Sequence, residues 1–301
     1  MLLHILWNTF TPILLIVTTG FVLMRQLRID VRPLSTIAFY ILIPCLVFTN
    51  LLHLHLLLKE VEKICLLHVG MLALLMTLAW LIAWIWAWER PLRNACMLTA
   101  IMQNAGNYGL PVSQFAFGAA ALEIAVLYHA LTTITGNTLG VVLSSAGSTP
   151  LRQAIGDLMK APLLHAIVLA MALRTSALTL PAPLLRSIEL CAQASVPILL
   201  LILGMQLAQL EISADIASMA LAAILRLGLS PLCALLLTYF LGMQGLLRSV
   251  SLIAWSVPTG VAAAVVALQY ECQPRYVAGV ILLTTLMSFL TIPVLLLWVM
   301  P

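Results

Sequence analysis

The chain has 301 residues, of which 63% are apolar and only 8% charged, with a formal net charge of +4 and a mean hydropathy of +1.14. A soluble domain carries about 25% charged residues, so these values exclude a soluble enzyme and a nucleic-acid-binding protein and require an integral membrane protein with many spans. The small positive charge sits in short loops and says little about partners beyond the lipid bilayer itself.

A crossing helix needs about 20 apolar residues. On that measure the chain divides into ten candidate spans: 4–24, 34–54, 64–88, 95–117, 121–144, 160–177, 184–208, 216–241, 247–269 and 276–299. The first lacks a basic n-region and exceeds a signal peptide's apolar core, so it is expected to remain as a span. An even count places both termini on one side. Loops after odd-numbered spans hold Arg25, Arg28, Arg32, Arg90, Arg93, Arg152, Lys160 and Arg275, whereas loops after even-numbered spans hold Lys59, Lys63, Arg174, Arg186 and Arg248. The positive-inside rule then predicts both termini on the outer face of a cell membrane.

Two spans carry breaks. In the fourth, Gln103-Asn104-Ala105-Gly106-Asn107-Tyr108-Gly109-Leu110-Pro111 places amides, glycines and a proline inside an apolar run. In the ninth, Ser256-Val257-Pro258-Thr259-Gly260 does the same. Proline and glycine interrupt helices, and free backbone groups at membrane depth survive only against protein or a watered cavity. Interrupted helices at corresponding places in two halves point to the binding site of a secondary transporter.

The stretch Ser145 to Met159 lies at the midpoint and reads as a cytoplasmic linker (145–159) between repeats at 1–144 and 160–301. Five spans in each half force the halves into opposite orientations. Pro44 and Pro111 in the first half are spaced much as Pro197 and Pro258 are in the second, and Leu131-Thr132-Thr133 recurs as Leu283-Thr284-Thr285.

Asn104-Ala-Gly-Asn-Tyr-Gly-Leu-Pro-Val112 followed by Phe115-Ala-Phe-Gly118 resembles the fourth span of the auxin efflux carrier family, whose plant members are the PIN-formed auxin exporters. Pro258-Thr-Gly260, Thr284-Thr285 and Thr291-Ile-Pro293 are similar to its ninth and tenth spans, and Tyr40-Ile-Leu-Ile-Pro44 and Ser195-Val-Pro197 to its second and seventh. The resemblance implies an all-α fold of ten transmembrane helices in two inverted five-helix repeats, related to bile-acid carriers. It implies a scaffold of spans 1, 2, 6 and 7, and a moving body of spans 3–5 and 8–10 in which broken spans 4 and 9 cross. It also allows a homodimer. Unlike many members, this chain has no amide after its second break, since Val261 to Ala267 is wholly apolar.

Half-helix N-termini aimed at one cavity each act as about half a positive charge and suit a carboxylate. The expected site therefore comprises Asn104, Gly106, Asn107 and Pro111 from the first break and Pro258, Thr259 and Gly260 from the second, taking a small organic anion such as a mono- or dicarboxylate. Arg226, the one basic residue deep within a span, is either a counter-ion or a side chain snorkelling to the interface. Glu189 reads as a surface partner of Arg186 three residues away. His129 and His165 read as packing residues, and Trp80, Trp84, Trp86 and Trp88 as interfacial anchors. The six cysteines lack paired spacing, and no cofactor, metal site or catalytic motif is expected. A carrier without a coupling ion, or only weakly linked to protons, is favoured over a sodium- or proton-coupled symporter. A non-transporting membrane sensor is the alternative from another class.

Overall fold

The computed structural model describes residues 6–176, 178, 180–210 and 215–299. The expected beginning of the first span at residues 4 and 5, and residue 177 at the end of the sixth, lie outside them. Among the described residues there is no strand, and thirteen α-helices follow in order. They are α1 (Thr11–Leu27), α2 (Val31–Leu52), α3 (Leu58–Ile85), α4 (Arg90–Ile101), α5 (Leu110–Phe117), α6 (Ala119–Ser144) and α7 (Leu151–Leu158). Then come α8 (Pro162–Ser176), α9 (Ala182–Leu207), α10 (Ile216–Phe240), α11 (Gly245–Ser256), α12 (Ala262–Gln269) and α13 (Pro274–Val299).

Six of these, α2, α3, α6, α9, α10 and α13, are long and apolar enough to cross a membrane unaided, and α7 with α8 form a pair bent by 62°. The protein is therefore a multi-pass membrane protein. Several helices run past the apolar stretches that predict them. The third starts at Leu58 rather than 64, because Glu60 turns back to accept from the Leu57 N–H at 2.8 Å and caps a charged first turn. The second starts at Val31, where Asp30 accepts from the Arg32 N–H at 3.0 Å. The midpoint stretch, expected as a plain linker, contains the amphipathic α7, which buries Ala154 and Leu158.

Wide π-helical turns occupy 6–10, 38–42, 105–109, 136–140 and 224–229, and all but the one at 136–140 end two residues before a proline: Pro12, Pro44, Pro111 and Pro231. At those four the cause is steric. A proline ring collides with the carbonyl four residues back, and a widened turn moves that carbonyl aside without ending the helix.

Packing separates the helices into two groups. In one, α1 lies along α9, and α2 lies between α8 and α9. In the other, α3 packs on α4 and α10, α10 on α11, α6 on α5 and α11, and α12 on α13. The α1–α9 contact is backbone to backbone, because Gly20 and Gly204 face each other's chains with no room for a Cβ. A Cβ at Gly204 would overlap the Val17 carbonyl, which belongs to the main chain and cannot swing away. Such close approach drives helix association in lipid, where burial of apolar surface provides no gradient.

Gly204→Ala should therefore lower the melting temperature of the purified protein by several degrees, with overpacking costing about 1–3 kcal/mol or more. A variant that melts with the native protein would contradict this contact.

Candidate functional site

Both expected breaks are present, and they meet. Helix α4 ends at Ile101 and the chain runs extended to Asn104 before a π-helical turn at 105–109 leads into α5. Helix α11 ends at Ser256, where Val257 is held extended (φ −65°, ψ 154°) as the residue before a proline must be. The two extended pieces run antiparallel, with Gln103 paired to Thr259. The Asn104 N–H donates to the Pro258 carbonyl and the Gly260 N–H to the Met102 carbonyl, both at 2.8 Å. Each break thus satisfies the other's freed backbone. Gly260 permits this approach, since a Cβ there would lie 2.9 Å from the Gln103 carbonyl oxygen.

Side chains fasten one side of the crossing. Thr259 donates its hydroxyl to the Thr99 carbonyl at 3.0 Å, and its N–H donates to the Thr284 hydroxyl at 3.2 Å. Gln103 donates to the Thr132 hydroxyl at 2.8 Å. Arg226, on the π turn within α10, does not snorkel: it is 0% exposed. Its Nε donates to the Val257 carbonyl (2.8 Å), Nη1 to the Ala100 carbonyl (3.0 Å) and Nη2 to Gln103 Oε1 (3.3 Å). The guanidinium carbon lies 5.9 Å from the Trp255 ring centroid.

On the other side of the crossing polar groups remain open. The backbone here is partly paired, with the Ala105 N–H donating to the Gln103 carbonyl at 2.8 Å and the Gly109 N–H to the Asn104 carbonyl at 2.9 Å. Asn104 is buried, and its Nδ2 has no hydrogen-bond partner. Gly106 lies buried against the ring of His129, whose Nε2 is likewise buried and unpartnered. Asn107 is half-buried and donates to Gln206 Oε1 on α9 at 3.1 Å, reaching from one helix group to the other. Further along the same boundary, a cavity of about 190 Å³ is lined by Asn50, Gln114, Glu189 and Gln193. Glu189 makes no ion pair with Arg186 among the described residues and faces this cavity instead. A larger cleft of about 340 Å³ between α10, α11 and α13 is almost wholly aliphatic and has no such chemistry.

Of the residues expected from sequence, Asn104, Gly106, Pro258, Thr259, Gly260 and Arg226 gather at the crossing. Asn107 lies within the π turn that follows, and Pro111 sits buried at the start of α5. Pro258 acts through its carbonyl, and the Thr259 hydroxyl is bonded to protein. Sequence reasoning missed the joint role of Gln103 as acceptor for Arg226 and donor to Thr132. Nothing in the spacing signals it, because the partners lie 123 and 29 residues away.

A family profile described as "Membrane transport protein" matches residues 148–296. The chain is 28% identical to an uncharacterized transporter of Methanothermobacter thermautotrophicus over 299 residues, covering 95% of this chain and 96% of that protein. The second half of the chain thus carries the pattern of membrane transport proteins, and almost its whole length resembles a protein named as a transporter. A second archaeal relative, an uncharacterized transporter of Methanocaldococcus jannaschii, is 26% identical over 203 residues, or 65% of each chain. The permease is thus a membrane transporter whose relatives are named for transport, which points away from an enzyme.

In the permease, Gln103→Leu should destabilise the fold by about 1.5–3 kcal/mol, the cost of leaving a charged donor and a buried hydroxyl without their partner. Gln103→Glu, which keeps an acceptor for Arg226, should retain more stability than Gln103→Leu in thermal melts. The reverse order would exclude the Arg226–Gln103 contact.

Proposed function

We propose that the permease carries a small organic anion, a mono- or dicarboxylate, bound at the crossing and moved by elevator-type alternating access. The observation that carries this reading is the buried, unpartnered Asn104 Nδ2 at the start of the turn at 105–109, next to the Asn107 amide that reaches across the boundary between two helix groups. A helix N-terminus bearing free N–H groups attracts a carboxylate. Among the described residues no carboxylate side chain hydrogen-bonds to the residues of either break that would compete for it.

The motion rests on the packing. α1, α2, α8 and α9 act as scaffold, and α3–α6 with α10–α13 as the moving body. The reading takes ten crossings in two inverted repeats, 1–144 and 160–301, joined through 145–159. In it α4–α5 and α11–α12 each make one broken crossing. Its support is that contacts exchange partners between the halves: α1 on α9 mirrors α8 on α2, and α3 on α4 mirrors α10 on α11. The permease is placed in the cell membrane with both termini outside, on the loop charge bias. At the cytoplasmic end of α3 this leaves Trp80, Trp84 and Trp86, all exposed, at the interface.

Flux into vesicles reconstituted with the permease, measured against monocarboxylates, dicarboxylates and indole acids, tests the substrate class. At least one acid should be carried, and Asn107→Ala should reduce its flux about tenfold or more, given about 1.5–3 kcal/mol for a hydrogen bond to a charged group. Flux confined to cations or neutral solutes, or unchanged by that substitution, would defeat the proposal.

A further inference from the structure

The buried guanidinium of Arg226 lacks the partner that such a group ordinarily has. Among the described residues no carboxylate bonds to it, and its three nitrogens meet three oxygens: the Val257 and Ala100 carbonyls and Gln103 Oε1. An isolated buried charge is very costly. Its compensation lies in where those oxygens sit. Ala100 is in the last turn of α4 and Val257 is the residue that closes α11, so both carbonyls belong to the C-terminal ends of half-helices. Each such end carries about half a negative charge, and the two together offset one cation.

Half-helix C-terminal ends and unwound carbonyls form the oxygen cages that hold coupling cations in secondary transporters. Here the cage is complete, and a side chain fills it. Arginine suits the position because its charge is permanent and its rigid fork meets several oxygens in fixed directions. The Trp255 ring face adds a further favourable contact.

We propose that Arg226 is the resident cation of the crossing, a covalently attached substitute for a coupling metal ion, so that the anion cycle requires no Na⁺ or K⁺ from solution. The negative helix ends are neutralised from within. The positive N-terminal ends are left for the substrate, which deepens the anion-carrier reading above and rests on it. Arg226 is a positioning residue in this account, holding α4, α11 and Gln103 together without touching substrate.

The test reads cation binding and stability, which need no transported solute, so its failure is separable from failure of anion flux. The permease in detergent is melted in sodium, potassium and choline chloride at equal ionic strength, and radiolabelled sodium binding is measured alongside. The native protein should melt identically in all three salts and bind no sodium saturably. Arg226→Ala should melt lower, and its melting temperature should rise saturably with sodium or ethylguanidinium but not with choline. Arg226→Lys, which restores a compact cation, should melt above Arg226→Ala. If Arg226→Ala does not survive purification, Arg226→Gln is titrated in its place with the same expectation. Saturable sodium binding or sodium-specific stabilisation of the native protein would overturn the proposal. So would a neutral variant that melts with the native protein or responds to no small cation.

Discussion

Backbone polar groups cannot be left unpaired in hydrocarbon, and this constraint governs the structure. Two chains that unwind at membrane depth expose groups costing several kcal/mol each. The permease meets the cost by placing the two unwound pieces side by side, where Asn104 N–H to Pro258 and Gly260 N–H to Met102 form a minimal antiparallel ladder. Neither break is sustainable without the other. The buried residues around the ladder, Thr99, Gln103, Thr132, Arg226, Thr259 and Thr284, follow as the polar lining such a crossing needs.

A second consequence is a division of charge. The ends of α4 and α11 present carbonyls, which Arg226 occupies, while the chain at the first break presents the unpartnered side-chain amide of Asn104. One face of the crossing is closed and structural. The other has unpaired donors, glycine in place of a bulkier side chain, and a neighbour, α9, from the second helix group. In the proposed cycle, a site at this boundary between two packed groups joins binding and movement in one place.

Much of this was legible in the amino-acid sequence because membrane burial leaves few reasons for a polar or helix-breaking residue. Asn104, Gly106, Pro258 and Gly260 marked the two breaks through their chemistry, and the family resemblance implied that the breaks cross. Helix boundaries were less legible, because charged first turns at Asp30 and Glu60 extend helices past the apolar runs. Arg226 was singled out by its depth, yet its partners were not, since carbonyls 31 and 126 residues away leave no imprint on local pattern. Glu189 was misread for a related reason. Its spacing from Arg186 fits a helical pair, but the cavity against α2 offers the carboxylate other polar company.

The central claim is that the chain around Asn107 is a water-reached pocket whose electrostatic potential draws anions. Thiol labelling tests it directly, using Asn107→Cys in a chain whose six native cysteines have been replaced. An anionic thiosulfonate reagent should modify this cysteine faster than a cationic reagent of equal size, relative to an exposed loop cysteine, and a transported carboxylate should slow the reaction. A preference for the cationic reagent, or a thiol that neither reaches nor is shielded by a carboxylate, would contradict the account.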